Sequence, residues 1–181
     1  MLILKKIKHL GIILCLWGGT LQAGSLGAGV GMATPMTYYY NSFTQSLTFN
    51  AQYWQQFSFL PPSLSLHASI LYTPLATRLS TNMSIHQIYG LVGVEAKPLI
   101  KFPLVPFASL DFGGLMSVST FNDGTNSVLN FGGNFALQFR SGISYRIWSR
   151  LSAMIEIPIL YVFHNPSYLA LNTQLSFRWD F

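Results

Sequence analysis

The chain has 181 residues, half of them hydrophobic and only 8% charged, with a formal net charge of +5. That charge density is well below the roughly 25% of an average soluble domain. Yet beyond the N-terminal region no apolar run reaches the ~18 residues of a membrane helix. Apolar residues spread thinly rather than in blocks are what period-two alternation produces.

Residues 1–23 read as a secretory leader: Lys5, Lys6 and Lys8 open it, Leu10 to Trp17 form a short apolar core, and Leu21-Gln22-Ala23 offers a cleavage site before Gly24. Cys15, the sole cysteine, lies inside this leader behind Leu14, which is too large for a lipoprotein site. The mature part, 24–181, then has no thiol for a disulfide or a metal. It keeps seven basic and five acidic residues, a net +2, so the basic balance does not argue for nucleic acid.

Eight segments alternate between two faces, as β-strands do. The first, roughly 25–38, sets Leu26, Ala28, Val30, Met32 and Met36 against Ser25, Gly27, Gly29, Gly31 and Ala33. The second, 46–59, sets Leu47, Phe49, Ala51, Tyr53, Phe57 and Phe59 outward, with Gln55 as a polar exception, and Thr48, Asn50, Gln52, Trp54 and Gln56 inward. Pro61-Pro62-Ser63 turns the chain. The third, 64–74, has Leu66, Ile70 and Tyr72 outward and Ser65, His67, Ser69 and Thr73 inward; the fourth, 84–97, has Val92 and Val94 outward and Gln87, Glu95 and Lys97 inward. Tyr89 and Leu91 fall on the inner set and fit a polar interior poorly.

The fifth segment, 105–118, places Leu110, Phe112 and Met116 outward and Ser109 and Asp111 inward. The sixth, 128–147, places Leu129, Phe131, Phe135, Leu137, Phe139, Ile143 and Tyr145 outward and Asn130, Asn134, Gln138, Arg140, Ser144 and Arg146 inward. The seventh, 151–163, has Ile155, Ile157, Ile159 and Tyr161 outward and Ser152, Glu156 and Pro158 inward. The eighth, LALNTQLSFRWDF, alternates Leu171, Leu175, Phe177, Trp179 and Phe181 against Asn172, Gln174, Ser176, Arg178 and Asp180.

The fold this predicts is all-β: an eight-stranded antiparallel up-and-down transmembrane barrel, apolar outside and polar within. Each segment is long enough to cross a bilayer at a tilt, which takes ~9–11 residues. Closure removes the edges that lipid cannot satisfy. Short connections alternate with longer ones, which puts both termini on the short-turn, periplasmic side. Aromatic residues fall at both strand ends, Tyr38, Tyr40, Tyr72, Phe121, Tyr161 and Phe163 at one and Phe57, Phe59, Tyr145, Trp148, Trp179 and Phe181 at the other, as two interfacial belts would.

With its leader ending LQA, eight alternating segments and the C-terminal SFRWDF, the chain resembles the small OmpA/OmpX-like outer-membrane barrels of Gram-negative bacteria. The resemblance implies an integral, monomeric outer-membrane protein among lipid and lipopolysaccharide. It also implies that Phe177, Trp179 and Phe181 form the signal read by the barrel-assembly machinery. No peptidoglycan-binding domain is expected after Phe181, unlike full-length OmpA.

Chemistry-bearing residues are few. Arg140, Glu156 and Arg178 face the lumen on three neighbouring segments, and the expected arrangement is Arg–Glu–Arg, with Arg178 paired to Glu156 across the last seam. Asp111 is a further inward acid. The preferred reading is a structural plug, because eight strands enclose just enough room for side chains; a gate or ligand site is the alternative. No histidine pair shows metal spacing, and no cofactor is expected. His67 reads as a hydrogen-bonding filler. His164-Asn165-Pro166-Ser167 invites comparison with lipid A deacylases built on such barrels, which use a serine two residues after the histidine and a glutamate at the membrane face. Ser167 is three residues on, and Glu156 points inward.

The functional reading is therefore a non-catalytic outer-membrane barrel of structural or surface-interaction type. A narrow channel for small or hydrophobic solutes is the first alternative, drawn by the inward glycines 27–31, and a lipid A-modifying enzyme the second.

Overall fold

The computed structural model describes residues 21–36, 43–76, 83–122, 127–164 and 167–181. The leader up to residue 20 lies outside them, as do Tyr38 and Tyr40, and the side chains of Phe121, Leu129, Asn130 and Phe131 are likewise not described. Among the described residues the chain forms eight strands: β1 (Leu21–Met36), β2 (Ser46–Phe57), β3 (Leu64–Ala76), β4 (Met83–Ala96), β5 (Leu104–Asn122), β6 (Ser127–Arg146), β7 (Leu151–Phe163) and β8 (Tyr168–Asp180). Each pairs antiparallel with the next, and β8 pairs back onto β1, so the sheet closes into a barrel.

The alternation sets the two surfaces. Leu26, Val30, Phe49, Ile70, Leu110, Phe139, Ile155 and Phe177 are exposed on the outer wall, while Thr48, Gln52, Asp111, Arg140, Glu156 and Ser176 are buried within. At β7 and β8 the alternation is nearly unbroken from end to end. The β1–β2 ladder is regular from Gly24 opposite Gln55 to Ala33 opposite Ser46, and shifts between Leu21 and Gly24. Gln55, the polar residue on an outward position, is buried rather than exposed. Its carbonyl accepts the Tyr53 hydroxyl, and its amide donates to the Gln56 carbonyl at 3.0 Å.

One stretch of the interior departs from the polar expectation. Tyr89 and Leu91 point inward and are 1% exposed, where they pack with Leu71, Leu115, Leu160, Val162 and Tyr168 into an apolar core. The barrel is thus filled partly as a soluble protein is, by side chains that exclude water. Tyr89 and Tyr168 share their hydroxyls, and Gln87 donates to Tyr168 at 2.8 Å, so the phenol ends are satisfied. A second small cluster joins Trp54, Phe107 and Met154.

Inward glycines let large side chains reach over the strand that carries them. A Cβ on Gly27 would stand 2.8 Å from the Trp54 ring and 2.8 Å from the Phe177 carbonyl. On Gly29 it would meet Asn50 and Ser176, and on Gly31 Gln174. Gly27–Gly31 is therefore occupied space, not the hollow that a channel along β1 would need. Gly90, by contrast, faces outward with nothing within 4 Å of an added Cβ. Gly27→Val is expected to destabilise the folded barrel by about 1–3 kcal/mol through overpacking, while Gly90→Ala stays within about 0.5 kcal/mol. Urea unfolding in phosphatidylcholine vesicles measures both; equal effects at the two positions would contradict this packing.

Candidate functional site

Among the described residues the lumen is crossed by one charge network, and strand register explains which residues join it. Glu95 on β4 stands opposite Ser109 on β5, and Ser109 stands opposite Arg140 on β6. These three side chains therefore share one row across the wall. Glu156 on β7 faces Gly142 on β6, two residues beyond Arg140 on the same inner face. Arg140 is thereby flanked by carboxylates from two directions.

Its guanidinium, 1% exposed, donates four hydrogen bonds. Nε reaches Ser109 Oγ at 3.0 Å, one terminal nitrogen reaches Gln52 Oε1 and Glu156 Oε2, each at 2.8 Å, and the other reaches Glu95 Oε2 at 2.8 Å. The Trp54 and Phe107 rings lie 5.7 and 5.5 Å from the guanidinium carbon. Arg suits this position because its planar fork can serve several acceptors at once. Desolvating the three ions is costly, and only geometry this complete offsets it.

Glu95 is the shared acceptor of the network. Besides Arg140 it takes the Trp54 indole N–H at 2.7 Å and Arg178 at 3.1 Å. Arg178 also donates to Asp180 at 3.1 Å and lies 4.7 Å over the Trp54 ring, a contact made across β1 at Gly27. Asp180 takes the Ser25 hydroxyl at 2.6 Å.

The sequence-predicted pairing of Arg178 with Glu156 is corrected. Along the β7–β8 seam Glu156 stands opposite Gln174, and Arg178 opposite Ser152. Four residues of strand, roughly 14 Å at about 3.4 Å each, separate the two levels. Arg178 belongs to Glu95 instead, so Glu95 is the member that sequence reasoning left out. Its inward parity was readable, but its level was set by the β4–β5 connection (97–103), whose length leaves the register open.

Asp111 is near this network but does not pair with either arginine. It takes His67 Nδ1 at 3.0 Å and Ser109 Oγ at 2.9 Å, and Ser109 in turn accepts Arg140. His67 reaches it over Gly93, which stands between them on β4. A Cβ on Gly93 would collide with Asp111 and the Leu110 carbonyl. Phe177, Trp179 and Phe181 lie on the outer wall at the end of β8, all about half exposed.

Two cavities flank the filled middle. One of about 850 Å³ opens at the end with the short turns, between Trp54, Glu95, Lys97, Arg178 and the turn residues. The other, about 180 Å³, sits at the opposite end above Tyr89, Leu115, Leu160 and Tyr168. His164 lines that smaller cavity and Ser167 is exposed; Asn165 and Pro166 lie outside the described residues. Glu156, the acid such a pair would want, is held by Arg140 and Gln52 inside the lumen.

Searches by sequence find no matching family model and no matching curated relative. By structure, Neisserial surface protein A superposes with a TM-score of 0.68 at 10% identity, over 88% of this chain and 99% of that one. The chain has the fold of the small eight-stranded outer-membrane barrels. A major outer membrane protein of Thermus thermophilus superposes with a TM-score of 0.61 at 10% identity, over 88% of this chain and 99% of that one. Ail, the attachment invasion locus protein of Yersinia pestis, gives 0.59 at 14% identity, over 90% of this chain and 100% of the other. At such identities the shared property is the barrel, and the charge network must be understood from its own residues.

Replacing Arg140 by Met leaves Glu156 in the barrel interior without its cationic partner, while Glu95 keeps Arg178 and the Trp54 indole. It is expected to cost about 3–5 kcal/mol of unfolding free energy, as when one partner of a buried ion pair is removed. Arg178→Met leaves Glu95 with Arg140 and Trp54 and should cost about 1–2 kcal/mol. Denaturant unfolding of the two variants side by side checks the order; a larger loss at Arg178 would place the hub wrongly.

Proposed function

We propose that this protein is an integral outer-membrane barrel with a structural or surface-interaction role and a closed lumen, without catalysis. The observation that carries this reading is the filled middle of the barrel. There the Arg140–Glu95–Glu156 network and the Tyr89–Leu91–Leu160 core follow one another along the axis. The interior of an eight-stranded barrel is just wide enough for such side chains to fill, which supports a closed lumen. Membrane insertion is supported by the outer wall, where Val30, Phe49, Val92, Phe112, Phe139 and Ile157 face outward around the circumference. A contiguous apolar surface of this kind suits lipid and not water.

The short turns, the start of β1 and the end of β8 belong to one end of the barrel, and this end is assigned to the periplasm by the rule that short turns face inward. The leader over 1–23 would deliver the chain there. The exposure of Phe177, Trp179 and Phe181 on the outer face at the end of the closing strand supports their reading as the assembly signal. The lipid-modifying alternative has no support from Glu156, and the hydrophobic-channel alternative has none from the glycines of β1.

Planar-bilayer recording tests the closed lumen. The wild-type barrel is expected to give no conductance steps above background, and so is Arg140→Met, because the apolar core blocks the axis independently. Ohmic steps from the wild-type protein would overturn the reading in favour of a channel.

A further inference from the structure

The cavity at the short-turn end is lined by more positive than negative groups, and the negative ones are already engaged. Lys97, Lys101, Arg146 and Arg178 face it, against Glu95 and Asp180. Glu95 serves Arg140, Arg178 and Trp54, and Asp180 serves Arg178 and Ser25. Among the described residues Lys97, Lys101 and Arg146 form no ion pair. Lys97, one residue past β4, is half-buried, and its ammonium reaches the Ser144 hydroxyl at 3.3 Å. Burial, and then the neighbouring Arg178, pull the Lys97 ammonium below its ordinary pKa range. A cation held in this way gains from any anion brought beside it.

The upper walls have a different character. Leu99, Phe102 and Trp148, from the β4–β5 and β6–β7 turns, line the same cavity and are 72%, 61% and 67% exposed. A charged floor under apolar walls suits a molecule with the same two parts. At about 850 Å³ the space is that of a small-molecule site, which typically spans roughly 300–1,000 Å³.

We propose that this vestibule binds an anionic amphiphile. Its carboxylate or phosphate group would sit between Lys97 and Arg146, and its hydrocarbon part along Leu99, Phe102 and Trp148. The blocked middle of the barrel makes this a binding site rather than the entry to a pore.

The test is NMR of the barrel in phosphatidylcholine nanodiscs, with octanoate as the probe. Octylammonium serves as the charge-reversed probe, and inorganic phosphate as the anion without a chain. Octanoate is expected to give saturable amide shifts confined to residues 97–103 and 144–149. Its affinity should fall about tenfold or more when Lys97→Gln and Arg146→Gln are combined, through loss of the charge-assisted bonds. Lys97→Gln alone serves should the double variant fail to fold. Octylammonium shifts of equal size would show partitioning into the apolar rim and overturn the proposal. Phosphate binding as tightly as octanoate would overturn the amphiphile, and unsaturable octanoate shifts would overturn the site.

Discussion

The guanidinium of Arg140, held at the centre of the barrel with almost no contact with water, is the constraint on which the rest of the interior depends. A buried cation must be neutralised and most of its N–H groups directed at acceptors, or the fold would not tolerate it. Glu95 and Glu156 supply the charge, Ser109 and Gln52 supply further acceptors, and Trp54 and Phe107 close over the group. These partners come to β6 from β2, β4, β5 and β7. A closed sheet is held by its ladders alone, but this network fixes what lies inside it, and so decides that the interior is solid at this level.

The glycines are the complement of that network. Gly27, Gly93 and Gly142 stand on inner faces where a side chain would collide with Trp54, Asp111 or Phe107. Their absence of a Cβ lets Arg178 lie over Trp54 across β1 and lets His67 reach Asp111 across β4. A narrow barrel has little volume, so large side chains on some strands require small ones on others. Gly90 and Gly114, which face outward, carry no such requirement, since their added Cβ would meet open space or a single atom at 3.9 Å.

Much of this architecture was legible in the sequence, because period-two alternation is strict wherever one face meets an apolar medium. The eight segments fall within a few residues of the observed strands, and β8 reads correctly residue by residue. Two features were only partly legible. Alternation put Tyr89 and Leu91 on the inner set, where they are, but not the apolar core they form there, because a polar interior was expected and apolar side chains fill a narrow lumen as well as polar ones. And parity gives a face, not a level. It put Arg178, Glu156 and Glu95 inward alike, but only the lengths of the connections decide which of them meet. Arg140 and Glu156, joined by the tight WSR turn, could be placed beside one another, while the longer 97–103 connection hid the position of Glu95.

Along its axis the barrel has an open basic vestibule on the short-turn side, a smaller cavity at the other end, and packed side chains between. Solved barrels at 10–14% identity share its fold alone, so the distinguishing chemistry of this chain rests in its lumen charges and its vestibule. The most direct measurement is a pair of double-mutant cycles on unfolding in phosphatidylcholine vesicles. One combines Arg140→Gln with Glu95→Gln, the other Arg178→Gln with Glu156→Gln. Residues in contact couple by about 0.5–3 kcal/mol and distant ones by little. The Arg140–Glu95 network predicts a coupling of at least about 1 kcal/mol in the first cycle and near zero in the second; the reverse order would contradict it.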